Sequence, residues 1–126
     1  MYVASLSQYA FCVGGNCSGW PGWSILIFGI LALPGSLANA TWLANPILFA
    51  SWIVIWQREK RLSVVLSSVA LMFAAAFLLM GTVVTNEGGV PSPITGFKIG
   101  YWLWLGSMVA AWAAARVSNV RAEISK

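Results

Sequence analysis

"LSVVLSSVALMFAAAFLLMGTVVT", Leu62 to Thr85, decides the fold class. No charged residue interrupts it, and its polar side chains are the short hydroxyls Ser63, Ser67, Ser68, Thr82 and Thr85. A helix that crosses the hydrocarbon of a bilayer needs roughly 20 apolar residues, and this run supplies them without a proline. It is apolar on every face, as a helix in lipid is. A barrel strand would instead alternate polar and apolar positions over roughly 10 residues. The run therefore predicts a membrane helix over 62–85.

Three more apolar segments flank it. On the N-terminal side, beyond the charged "QREKR" of Gln57–Arg61, lie "TWLANPILFASWIVIWQ" (41–57) and "WSILIFGILALPGSLA" (23–38). On the C-terminal side, the Gly/Pro-rich "NEGGVPSPITGFK" (86–98) reads as a loop and leads to "IGYWLWLGSMVAAWAAA" (99–115). The predicted fold is an all-α integral membrane protein, a bundle of four hydrophobic helices in one domain over 1–126. The first helix is short and either crosses or turns back. Pro34 and Pro46 each remove a backbone donor and are expected to kink or interrupt their segments.

Composition points the same way. Sixty per cent of the 126 residues are apolar and only 8% are charged, against about 25% in ordinary soluble domains. A soluble chain of this size cannot hide that much apolar surface in one core. The net charge of +4 comes from residues at segment ends, so it is not a nucleic-acid footprint; it reports orientation instead. Arg58, Lys60 and Arg61 belong in the cytoplasm, as does the tail 116–126 with Arg116 and Arg121. Two crossings separate them, so 86–98 lies outside, with Lys98 a lone contrary charge. The N-terminal side is open on charge alone, because nothing charged precedes Arg58.

Several activities are disfavoured by what the chain lacks. It has no histidine, which removes His-ligated haem and Ser-His or Cys-His catalysis. The three carboxylates, Glu59, Glu87 and Glu123, all lie outside the segments, whereas coupled transport relies on an ionisable group within the membrane. Cys12 and Cys17 bracket "VGGN" in a C-x4-C spacing, unlike the C-x-x-C of dithiol enzymes. No second pair exists to pass electrons onward, and no basic residue lies close in sequence. Two thiols without histidine cannot close a zinc site. If the N-terminus lies outside, Cys12 and Cys17 are expected to form a structural disulfide; if it lies inside, they are expected to be reduced.

Tryptophans cluster at segment ends: Trp20, Trp23, Trp42, Trp52, Trp56, Trp102 and Trp104. Indoles favour the headgroup level, so these residues are expected to be interfacial anchors, with an aromatic ligand pocket around Trp102 and Trp104 as the alternative. Small residues recur four apart, Gly106, Ala110 and Ala114 on the last helix, with Ser67, Ala70 and Ala74 on the third. Such rows let helices approach closely in lipid. Asn39 and Asn45 are expected to cap helices or bond across them.

"AFCVGGNCSGWPGW", "WLANPILFASWIVI" and "NEGGVPSPITGFKIGYWLWLGSM" together resemble a group of small bacterial multi-pass inner-membrane proteins to which no activity is assigned. The resemblance implies a bacterial inner membrane and places Cys12 and Cys17 outside. The apolar span that the group carries before Phe11 is nearly absent here. The expected function is a non-catalytic scaffold or accessory subunit, without cofactor or nucleic acid, packing in lipid against a larger membrane complex or against itself. The alternatives are a lipid- or quinone-binding protein, a holin-like pore former, and a thiol–disulfide redox protein.

Overall fold

The computed structural model describes residues 1–84, 88 and 90–125. In chain order the elements are helix α1 (Tyr2–Leu6), strand β1 (Phe11–Val13), helices α2 (Gly22–Ala32), α3 (Leu37–Ala40), α4 (Ala44–Trp56) and α5 (Lys60–Ala76), strands β2 (Thr82–Val84) and β3 (Pro91–Phe97), and helix α6 (Ile99–Ile124). Short 3-10 turns join α2 to α3, α3 to α4, and α5 to β2. The chain is mostly helical with a few strands, so it is not all-α, and the described residues establish no bundle of four long helices.

The first expected segment breaks where its proline predicts. Leu33–Gly35 is a 3-10 turn carrying Pro34 at its start, and Ser36 then caps α3 by accepting from the Asn39 amide. The eleven residues of α2 rise only about 16 Å, roughly half the hydrocarbon thickness of a bilayer. Pro46, by contrast, neither kinks nor stops α4. It sits in the first turn, where backbone N–H groups have no intrahelical acceptor. Among the described residues, the helical stretches long and apolar enough to cross a membrane are Ala38–Trp56 and Lys60–Leu79. At 26 residues α6 is longer, but Tyr101, its tryptophans and its glycines lower its mean hydropathy.

Two expected boundaries move. The third segment leaves the helix at Ala76, and Gly81 leads into the β-branched Thr82, Val83 and Val84, which favour a pleated strand. The fourth does not end at Ala115. It continues as α6 through Arg116 and Arg121, so the expected tail is helical to Ile124. Asn86 and Glu87 of the expected outer loop lie outside the described residues, as do Thr85, Gly89 and Lys126. The rest of that loop holds β3, the centre of a three-stranded antiparallel sheet in the order β1-β3-β2. Prolines tolerate this centre because the two neighbours use different halves of β3. Ile94 N–H donates to Gly81, and Pro93 C=O accepts from Gly14 on the opposite edge. Pro91 and Pro93 therefore turn their nitrogens toward β1's side, beyond the point where β1 stops pairing at Val13↔Ile94.

α4, α5 and α6 pack side by side. The turn from α4 to α5 is tight: Arg58 N–H donates to Ile55 C=O and Glu59 N–H to Val54 C=O, the paired bonds of a Schellman cap. Arg58 takes the left-handed position there, at φ 64°. The seam of the three helices is made of small residues, with Ser63, Ser67, Ala70 and Ala74 of α5 buried against Leu48, Ser51, Met108, Ala111 and Ala115. This orders the molecule along one axis. The sheet closes the end where α5 finishes and α6 begins. Arg58, Lys60 and Arg61 lie at the other end, where α6 carries Arg116 and Arg121.

Candidate functional site

Two structures are built on this frame. The first is the cap. Gly14 and Gly15 both have positive φ, 57° and 85°, and Val13 and Asn16 exchange both backbone hydrogen bonds across them. That is a two-residue hairpin turn, for which glycine is suited because left-handed backbone costs it nothing. Cys12 and Cys17 flank the turn and are joined by a disulfide. No free cysteine exists among the described residues, and none of them form a cluster of three or more metal-ligating side chains.

The second is a cleft of about 560 Å³ between α2 and the rest of the fold. One wall is α2, held off by a stack. Gly29 lies so close to the Trp42 ring that a β-carbon there would collide with it, and the Trp42 indole N–H donates to Leu26 C=O at 3.1 Å. The floor is a buried hydrogen-bond hub at Asn45. Its Oδ1 accepts from Tyr2 Oη (2.9 Å) and from Trp104 Nε1 (2.8 Å), while its Nδ2 donates to Trp42 C=O (3.1 Å). Toward the sheet, Asn39 Nδ2 donates to Ala32 and Val84 carbonyls. Tyr101 Oη donates to Ala74 C=O at 2.7 Å. Phe11 and Phe77 close that end, ring on ring. Among the described residues, no charged side chain lines the cleft.

The candidate residues fall into distinct places. Trp23, Trp52, Trp56 and Trp102 are exposed, on surfaces that could meet headgroups. Trp20, Trp42 and Trp104 are half-buried and line the cleft. Trp102 and Trp104, paired in the sequence reading, thus part company: Trp102 faces outward and Trp104 inward. Ser67, Ala70 and Ala74 are buried at the helix seam. Gly106, Ala110 and Ala114 are not the residues of α6 that pack there; Ser107, Met108, Ala111 and Ala115 are. Ala110 and Ala114 are exposed, and Gly106 is covered by Met1. Ser67 Oγ donates to Val64 C=O of its own helix rather than across the seam.

The hub was signalled in the sequence only by Asn45, a carboxamide inside the apolar segment 41–57. The partners Tyr2 and Trp104 are distant along the chain and gave no local sign. Comparison with protein families, curated proteins and solved structures finds no match.

Proposed function

We propose that the chain is a small multi-pass membrane protein that acts as a non-catalytic scaffold or accessory subunit, packing against a larger membrane complex or a second copy of itself. The observation that carries this reading is α2. All its residues but Ser24 and the glycines are apolar, yet none of the eleven is buried, and Trp23, Ile27, Phe28, Ile30 and Leu31 are exposed. A helix that lends its core little beyond a half-buried Ile25 keeps its apolar faces for lipid and for another helix.

Membrane residence is supported by the two crossing-length stretches. Only 39% and 28% of their apolar windows are buried within the chain, far less than a soluble core helix would hide. The cations at one end support a cytoplasmic placement of the α4–α5 turn and the α6 terminus. The disulfide at the other supports an oxidising compartment for the sheet, with α2 lying on or re-entering the outer leaflet. By the earlier resemblance, the membrane is a bacterial inner one.

Two experiments test the proposal. A membrane-impermeant maleimide added to intact cells should label Cys12 and Cys17 only after reduction; labelling that requires lysis would refute the orientation. Photocrosslinkers placed at Ile27 and Ile30 should give one discrete protein adduct. A stable monomer in mild detergent with no such adduct would sink the accessory-subunit reading.

A further inference from the structure

We infer that the cleft behind α2 is a binding site for one uncharged hydrocarbon chain, acyl or prenyl, belonging to a membrane lipid. A cleft of about 560 Å³ exceeds what close-packed interiors leave empty, and left unfilled its apolar lining would forfeit packing contacts. Water needs two to four polar partners to settle in a cavity, and here the polar donors, Trp20 apart, are already engaged. Tyr2, Thr41, Asn45, Tyr101, Trp42 and Trp104 each donate a hydrogen bond within the chain. Ser5, Ser24 and Asn39 do the same.

What remains on offer is aromatic and aliphatic surface, and the described lining residues carry no charge to pair with an ionic headgroup. Size fits as well. At about 30 Å³ per small group, the share of a water molecule in the liquid, the cleft holds roughly 20 carbon-sized units. That is one long chain, not a whole two-chain lipid. The headgroup of such a ligand stays outside, so the cleft grips its tail alone. Trp20 is the lining indole whose N–H donates to nothing among the described residues, and it stands at the sheet side to meet an ester or quinone carbonyl. Access is lateral, past the exposed apolar edge of α2.

The test is lipid retention by the purified protein, washed extensively in mild detergent, followed by extraction and mass spectrometry. Wild type should keep about one lipid per chain. Ala32→Phe fills the cleft from α2 and should keep at least fivefold less, while Ala113→Phe, on the exposed face of α6, should match wild type. If Ala32→Phe does not fold, Ser24→Phe fills the same space from the other end of α2. Independently, wild type stripped of lipid should melt several degrees lower and recover when palmitoyl-oleoyl phosphatidylethanolamine or a tetraprenyl benzoquinone is added. The probe that restores it identifies the source of the chain. Equal retention by Ala32→Phe and wild type would overturn the inference, as would a stripped wild type whose melting ignores both probes. Failure of crosslinking from Ile27 and Ile30 would remove the accessory-subunit reading and leave lipid retention untouched.

Discussion

Asn45→Ala is the sharpest perturbation this structure offers. The side chain is 5% exposed and joins α1, α4 and α6 through Tyr2, its own helix and Trp104. Removing the amide leaves two donors, the Tyr2 hydroxyl and the Trp104 indole, with no acceptor. If the hub behaved like an average interhelical bond in a membrane protein, about 0.6 kcal/mol each, the loss would be close to 1 kcal/mol. A buried donor left unsatisfied costs about 1–3 kcal/mol, and two such donors set the range higher. Tyr2 is nearly sealed and Trp104 only half so, which places the expected loss at about 3 kcal/mol. At about 4 °C per kcal/mol for a chain of this size, the melting temperature should fall by about 10 °C. Tyr2→Phe should cost only about 1 kcal/mol, because Asn45 Oδ1 keeps its bond from Trp104. The assay is thermal melting in one detergent, followed by near-ultraviolet circular dichroism, with the double mutant Tyr2→Phe/Asn45→Ala closing the cycle. An Asn45→Ala loss below 1 kcal/mol, or a cycle with no coupling, would refute the claim that orphaned donors govern this site.

Other substitutions probe the remaining features. Cys17→Ser opens a loop spanning five residues of sequence separation and should lower stability by about 2 kcal/mol; an unchanged melting temperature would show that the hairpin turn holds without its staple. Gly29→Ala drives a methyl into the Trp42 ring and should cost about 1–3 kcal/mol. Gly81→Ala meets nothing within 4 Å and should stay within about 0.5 kcal/mol of wild type, so equal effects would contradict the packing described for α2. Arg58→Gly relieves a left-handed non-glycine position at the loss of a favourable helix-end charge. It should raise stability by about 0.5–1 kcal/mol in a chemical or thermal melt, and a loss of stability would argue that the Arg58 charge outweighs its backbone strain.

Much of the helical frame was legible because hydrophobic runs report it directly. Leu62–Ala76 is helical for the reasons its composition implies, and Pro34 breaks the first segment as an internal proline should. The errors have physical causes. Arg116 and Arg121 looked like the end of a helix, yet a charge stops a membrane span without stopping the hydrogen-bond ladder. "GGVPSPITG" has the composition of a loop, and its prolines disguise a strand whose missing donors fall on an edge that needs none. The opposite happened at Pro46, where a first-turn position hides the usual penalty. The cleft could not be read from local sequence at all. It depends on Trp42 meeting Gly29, and on Trp104 meeting Asn45 across 59 residues, contacts that no periodicity encodes.

The distribution of hydrogen bonds along the helix axis has a mechanical consequence. Every side-chain bond described above that joins α1, α4, α5 and α6 to one another, at Tyr2, Asn45, Tyr101 and Trp104, lies in the half nearer the sheet. Toward the cations, the buried hydroxyls of Ser51, Ser63 and Ser67 answer only to carbonyls of their own helices. That half is held by the shape of small side chains alone. The molecule is therefore built like a tuning fork, clamped at the stem, with the α4–α5 pair, closed by its tight turn, as one tine and α6 as the other. At the charged end, α6 can splay or twist away from the α4–α5 pair without breaking any polar contact described above, whereas the same motion at the sheet would tear several. Backbone amides should accordingly exchange with solvent faster from Ser63 toward Arg58 than from Ala70 toward Phe77, even where both stretches are equally helical.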